Sequence, residues 1–372
     1  MMGKNKLAIL GANESITMLI DKAKQLGYET HVFAWQCGDP GEKAADHFYP
    51  ISVSDKEAIL EQCRKIGICG ICSITSDFAA PVAAWVARNL GLPGNPERTD
   101  IVARNKYQMR KAFKEYGGIY CPAFAKTGPE FDETIVRSFH FPVIVKPTDR
   151  WGSKGITRVD KMEDLRAAVL YAVRESYEKK AIIEEFMEGP EYSAECIVYH
   201  GEPEILQFTR KMTTGSPHYI ETGHIQPSDI PAGKQDLIKE TVKRGVRALG
   251  ITDSAAHAEF RILVNGEVGF MEIGARMGGG CIGTDLTPMT TGKDYIKMVI
   301  DVACGNRPCM DIVTEPEPAE VRFIIDQRDV EEFHSVDPKR IIRRSAFDPD
   351  CDKEVVDGST RHGYYIIKRE RE

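Results

Sequence analysis

Residues 256–276 read AHAEFRILVNGEVGFMEIGAR. Two apolar runs flank Asn265-Gly266, the dipeptide most favourable to a two-residue hairpin turn. A turn at those two residues sets Glu259 opposite Glu272. One face of the predicted hairpin then carries Ala258, Phe260, Ile262, Gly269, Met271 and Ile273, a core-like set. The other face carries the two glutamates, with Arg261 beside them. Directly opposed side chains have Cβ atoms about 5 Å apart, and like charges at that spacing repel. A raised pKa, a nearby arginine or a divalent cation would offset the repulsion, and carboxylate oxygens are the donors that Mg2+ prefers. Taken alone, the pair reads equally well as metal ligands or as a solvated hairpin.

The chain has 372 residues, enough for two or three domains. Its 42% hydrophobic and 28% charged content is that of an ordinary globular protein. A net charge of −7 argues against a nucleic-acid binder, which would carry a basic excess. No apolar run reaches the roughly 20 residues of a membrane span. The run Leu7–Leu10 is too short for a signal-peptide core and reads as a first strand. Ten scattered cysteines fit a reducing cytoplasm. The CxxC of Cys69 and Cys72 lies in an apolar, strand-like run and lacks the further ligands of a zinc site.

Residues 1–95 alternate strands (Lys6–Leu10, Thr30–Ala34, Ile68–Ile74) with helices (Ile16–Leu26, Lys56–Ile66, Phe78–Leu90). That pattern predicts a parallel sheet covered on both faces, with a ligand crevice at the strand ends. Asn13, Glu14, Ser76 and Asp77 fall there, as crevice residues or as helix caps. The first turn, LGANES, has one glycine and is no dinucleotide fingerprint. Residues 96–118 read as a basic helical linker, 119–210 as a smaller α+β lobe, and 211–372 as a larger lobe with a C-terminal extension.

Three further segments carry possible chemistry. Lys146 ends an apolar strand and is followed by Trp151-Gly152-Ser153-Lys154-Gly155. Glycines let backbone N–H groups approach an anion, and lysine adds a point charge. The spacing is not that of a Walker loop. Next, an apolar strand runs out through Glu184-Glu185-Phe186-Met187 to a Gly-Pro turn and Glu191. Such a segment offers backbone edges to a purine and an acid to a ribose, or is simply a strand end with solvated glutamates. Third, Arg276 and three glycines follow the paired carboxylates. Arginine can steady a phosphoryl group or tetrahedral adduct, or can neutralise the glutamates.

In this order, the segments resemble the ATP-grasp superfamily over essentially the whole chain, from the N-terminal parallel-sheet unit to about residue 305. The resemblance implies an α/β fold: an N-terminal parallel-sheet domain, then two α+β lobes that clamp ATP. It implies that Lys106 and Lys146 contact phosphates and that Gly152, Ser153, Lys154 and Gly155 form a phosphate lid. Glu184, Glu185, Phe186 and Met187 would form the adenine hinge, and Glu191 would bind the ribose. Glu259 and Glu272 would hold Mg2+, with Mn2+ as an acceptable substitute. Lys146 and Arg276 would be catalytic, Arg276 on the acyl-phosphate and tetrahedral intermediates. The usual E-x-N metal motif reads Glu272-Ile273-Gly274 here, which removes one expected donor.

HYIETGHIQPSDIP (218–231), followed by EIGARMGGG, is similar to the dipeptide-ligase and carbamoyl-phosphate-synthase-like branch. His218, Glu221, His224, Arg276, Gly278 and Gly279 would then lie near the acceptor. The implied activity is an ATP-dependent, cytoplasmic carboxylate–amine ligase, in a branch where homodimers are common. Its partners would be small-molecule carboxylates and amines, with no nucleic acid and no membrane. A bicarbonate-activating carboxylase and a catalytically silent ATP-binding module are the alternatives, and a nicotinamide enzyme ranks last.

Overall fold

The structure, a computed structural model, describes residues 5–346, 351 and 353–370. Its first unit is a parallel sheet of β1 (Lys6–Leu10), β2 (Glu29–Phe33), β3 (His47–Tyr49) and β4 (Gly70–Cys72), in the order β3-β2-β1-β4. Successive residues of β1 point into different cores. Leu7 and Ile9 pack with helices Glu14–Gln25 and Tyr295–Ala303, whereas Ala8 and Leu10 pack with helices Lys56–Ile66 and Ala79–Leu90. A strand buried on both faces has no polar side, which is why its sequence is an unbroken apolar run. Within the CxxC, Cys72 is buried in β4, and Cys69 Sγ lies 3.9 Å from Cys304 Sγ.

A small antiparallel sheet follows: β5 (Phe124–Thr127), β6 (Val143–Pro147), β7 (Thr157–Val159) and β8 (Ala181–Glu185), in the order β5-β8-β6-β7. The apolar face of helix Met162–Glu175 closes it, with Leu165, Val169 and Val173 packed on Val143, Val145 and Ile183.

The third sheet has eight strands: β9 (Glu191–Tyr199), β10 (Glu202–Thr213), β11 (Glu221–Gln226), β12 (Ser254–Ile262), β13 (Val268–Gly274), β14 (Ala319–Ile324), β15 (Ile341–Arg344) and β16 (Gly363–Lys368). Their order is β13-β12-β9-β10-β11-β14-β16-β15. Two expectations need correction here. The small lobe does not extend to residue 210, because β9 pairs with β12 and β10, inside the large sheet. Nor is the tail an appendage, since β14, β15 and β16 complete that sheet. Apolar alternation marks a strand but not the sheet it joins.

The β12–β13 hairpin also differs in detail. Leu263 N–H donates to Glu267 O at 2.9 Å, so the loop is Val264-Asn265-Gly266, one residue longer than expected. Gly266 takes the left-handed conformation (φ 86°) that such a loop needs. Ile262 therefore pairs with Val268, out of the expected register. A bulge beyond Phe260 restores it, and Glu259 does face Glu272. The same bulge turns Phe270 into the core and leaves Met271 on the cleft side, reversing the expected assignment of Met271.

Candidate active site

The small lobe and the hairpin enclose a cleft of about 900 Å3. Lys146, at the end of β6, and Lys106, at the first turn of helix Lys106–Tyr116, line one side. Asn105 caps that helix and fixes the direction of Lys106. Lys106 Nζ lies 3.1 Å from Glu272 Oε2 and donates to Arg150 O at 2.6 Å. Lys146 Nζ lies 2.6 Å from Glu184 Oε2, whose partner oxygen is 2.5 Å from Arg110 Nε. Arg110 and Glu184 have no exposed side-chain surface. Burial raises the Glu184 carboxyl, but Arg110 and Lys146 outweigh it and hold Glu184 below its ordinary value. Burial draws the Lys146 ammonium down despite Glu184. Glu184 thus lies beneath Lys146 and does not line the cleft as the hinge reading expected. Arg110 was not singled out, because one turn after Lys106 it reads as another solvated helix charge.

Glu259 and Glu272 face each other across the hairpin and line the cleft. Their repulsion is met from two sides, by Lys106 and by Lys211 on β10. Lys211 is almost wholly buried, with Nζ 2.6 Å from Glu259, 2.6 Å from Glu221 and 3.8 Å from Glu191. Burial opposes its charge, but these carboxylates raise its pKa well above the ordinary lysine value. Burial also opposes charge on Glu259, yet Lys211 and His257 hold that carboxyl far below its usual range. His257 Nε2 is 3.0 Å from Glu259, and its Nδ1 bonds the buried Glu195, which accepts from Gly278 N–H at 2.8 Å. Glu272 Oε1 is buried with no hydrogen-bond partner among the described residues. An ionised Glu259 beside a buried, unsatisfied Glu272 oxygen is a donor set that a hard divalent cation can take. Lys211 escaped the sequence reading, since a single lysine in a strand carries no motif.

The other expected residues divide. Gly152, Ser153, Phe186, Met187 and Glu191 line the cleft, joined by Ile144, Tyr219, Arg261 and Met271. Phe186 and Tyr219 stand 5.8 Å apart, and the Arg261 guanidinium lies over both rings. Glu191 is bound by Arg261 at 3.2 Å, and burial keeps its carboxyl above its ordinary value. Lys154 lies outside the cleft, 3.7 Å from Asp357, and Gly155 packs against Pro147 and Glu175. The expected hinge backbone is partly engaged within the protein. Glu185 N–H donates to Ala123 O at 3.0 Å, its carboxylate accepts from His140, and Met187 O accepts from Arg261 at 3.1 Å.

Arg276 lines the cleft but is held by Asp77 of the N-terminal unit, through Nε at 3.0 Å and Nη2 at 2.8 Å. Of the crevice residues, Asn13 caps the first helix, Ser76 Oγ accepts from Ala79 N–H, and Glu14 pairs with Arg343. The expected acceptor group does not converge as a whole. His218 faces the small lobe, with Nδ1 3.0 Å from Ile156 O, and is not in the cleft. Glu221 lines the cleft, and His224 is buried behind it, 3.5 Å away. Gly278 and Gly279 do not line it. A Cβ at Gly278 would meet Glu195 Oε1 at 2.5 Å, so only glycine lets that loop dock on the Glu195–His257 pair.

Residues 139–285 match the ATP-grasp domain family. The chain is 28% identical over 285 residues to an alanine–anticapsin ligase of Bacillus subtilis, covering 70% of this chain and spanning 58% of that protein's length. It superposes on the crystal structure of an L-amino acid ligase from Bacillus licheniformis with a TM-score of 0.81 and 23% identity, covering 99% of this chain and 94% of the other. A phosphoribosylglycinamide synthetase from Anaerococcus prevotii superposes with a TM-score of 0.77 and 23% identity over 99% of this chain and 95% of its own.

Proposed function

We propose that this chain, which carries an ATP-grasp domain on the ATP-grasp fold, is an ATP-dependent carboxylate–amine ligase acting on an amino acid. One observation carries the reading. An apolar wall, two buried lysines and a facing carboxylate pair with an unsatisfied oxygen line a single cleft. In the proposed reaction the donor carboxylate attacks the γ-phosphorus of ATP, giving an acyl phosphate and ADP. The amine then attacks the acyl carbon, and phosphate leaves as the amide forms.

Glu259 and Glu272 would hold Mg2+, and Mn2+ would suit the same oxygen donors. When bound, that ion neutralises phosphate charge during transfer. Lys106 and Lys146 present fixed ammonium groups to the phosphates, with no reorganisation needed at the moment of transfer. Phe186, Met187, Ile144 and Met271 supply apolar surface for the base, and Glu191 an acceptor for ribose hydroxyls. Arg276, oriented by Asp77, would steady the charge that develops on the acyl oxygen. The loop at Gly152–Ser153 closes the cleft against water, which would hydrolyse the acyl phosphate. We also propose a cytoplasmic, dimeric enzyme. Buried, unpaired thiols such as Cys63, Cys72 and Cys196 support a reducing setting, and no helix of the described residues is long and apolar enough to cross a membrane.

Phosphate release with ATP and Mg2+, screened over pairs of amino acids with bicarbonate as the control, tests the reading. Release that depends on an amino acid supports it. Release driven by bicarbonate alone would point to a carboxylase instead. Nucleotide binding without any release would mark a silent module.

A further inference from the structure

A second cleft, of about 690 Å3, opens where three distant segments meet. Glu14 comes from the first helix, Gly280 and Asp285 from the glycine loop, and Arg343 and Arg361 from the tail. The phosphate chemistry above uses none of them.

The two ends of this cleft differ in charge. At one end, the mostly buried Arg361 lies over the Phe323 ring, 3.7 Å from its centroid, and its Nε donates to Gly358 O at 2.8 Å. Its Nη1 is buried with no hydrogen-bond partner among the described residues. The nearest carboxylate, Glu221, is 3.7 Å away and already holds Lys211 at 2.6 Å. Burial without a full counter-charge pulls the guanidinium below its ordinary value. A buried charged donor left unsatisfied is costly, so a group held this way favours an anion. At the other end, Glu14 and Asp285 share one cation, Arg343, at 2.6 and 2.8 Å. Two carboxylates on one guanidinium leave a net negative charge.

An anion-seeking end facing a cation-seeking end complements a zwitterion. We propose that this cleft binds the amino-acid substrate, with Arg361 gripping the carboxylate that is not activated and Glu14 and Asp285 favouring its cationic group. The assignment deepens the ligase reading and rests on it for the word substrate. Glu221 lines the ATP cleft and touches Arg361, so the two clefts adjoin at that residue.

Binding without turnover tests the subsite. The standard L-amino acids and their α-amides are compared by thermal shift and calorimetry on the full chain with Mg2+ and ADP. At least one amino acid should bind, and its amide should bind about 10- to 150-fold more weakly, the range of a charged hydrogen bond. Arg361→Met should reduce the acid to the level of the amide and leave Mg2+–ADP affinity unchanged. Arg361→Lys keeps the stem over Phe323 and the charge, and should lose only part of the preference, which guards against a variant that merely misfolds. Equal binding of acid and amide, a preference that survives Arg361→Met, or no binding by any amino acid while Mg2+–ADP binds would overturn the proposal. If Mg2+–ADP fails to bind, the ATP reading falls by itself, and the acid–amide comparison without nucleotide still decides the subsite.

Discussion

Glu184→Gln separates two accounts of one residue. As an adenine-hinge group, Glu184 would govern nucleotide affinity and leave folding alone. In the structure its carboxylate lies 2.5 Å from Arg110 and 2.6 Å from Lys146, with no exposed surface. Glutamine keeps the volume and removes the single negative charge, leaving two cations buried side by side. Breaking a buried ion pair by removing one partner costs about 3–5 kcal/mol. At roughly 2 °C per kcal/mol for a long chain, the melting midpoint should fall by about 6–10 °C. The pH dependence has a definite sign. Burial draws the Lys146 ammonium down, Glu184 pushes back, and Arg110 and Lys106 add to the fall. Without Glu184 the folded-state value drops further. A lysine titrating lower in the folded than in the unfolded chain binds fewer protons when folded, so stability rises with pH between the two values. The deficit of the variant should therefore narrow as the pH rises toward the ordinary lysine value of 10.5, while Mg2+–ADP affinity weakens as Lys146 loses its charge. Scanning fluorimetry and calorimetric titration across that range read the two opposite trends. A variant that melts within about 2 °C of the parent and loses only nucleotide affinity would refute the buried-triad account.

Glu272→Gln should cut amino-acid-dependent phosphate release by about 100-fold or more without unfolding the chain, by analogy with loss of one charge-stabilising group; near-normal release would remove Glu272 from the metal set. Lys211→Met leaves Glu191, Glu221 and Glu259 without their shared cation and should cost about 3–5 kcal/mol. Mg2+ should raise the melting midpoint of that variant more than that of the parent, because the ion restores positive charge beside Glu259; equal shifts would argue against a shared site. Gly274→Asn should destabilise by about 1–3 kcal/mol through overpacking and lower turnover. Combined with Asp77→Ala, the two costs should fall short of their sum by at least about 0.5 kcal/mol, and strict additivity in thermal denaturation would separate the two positions.

The paired glutamates were legible because strand alternation and a turn signal act over a few residues. The pairing was right although the turn was longer than expected, since a bulge compensated for it. Nothing in the chain marks that bulge, and Met271 was accordingly assigned to the wrong face. Lys106, Lys146 and Glu191 fell into the cleft because local context of strand end, helix start and Gly-Pro turn fixes where such side chains point. Lys211, Arg110 and Arg361 were not legible as site residues, and Asp77 was read as a crevice residue or cap but not as the partner of Arg276. Each acts through a partner on another element, Lys211 with Glu259, Arg110 with Glu184, Asp77 with Arg276 and Arg361 with Glu221. Spacing along the chain carries no trace of such contacts. The sheet that β9 and the tail strands join was hidden for the same reason.

Position 274 brings these threads together. Against the E-x-N motif, Gly274 looks like a lost donor. In the fold, a Cβ there would lie 3.0 Å from Asp77 Oδ1 and 3.2 Å from Arg276 Nε. Those contacts are tighter than ordinary packing, so glycine is what lets a carboxylate from the N-terminal unit reach the arginine. The Asp77 carboxylate does not replace the missing ligand, since both its oxygens accept from Arg276. Gly274 thus makes room for a clamp on the arginine at the position where the motif would put a further donor. A site assembled this way depends on the N-terminal unit for the orientation of Arg276, and any substitution that loosens that unit from β13 should lower turnover before it lowers nucleotide affinity.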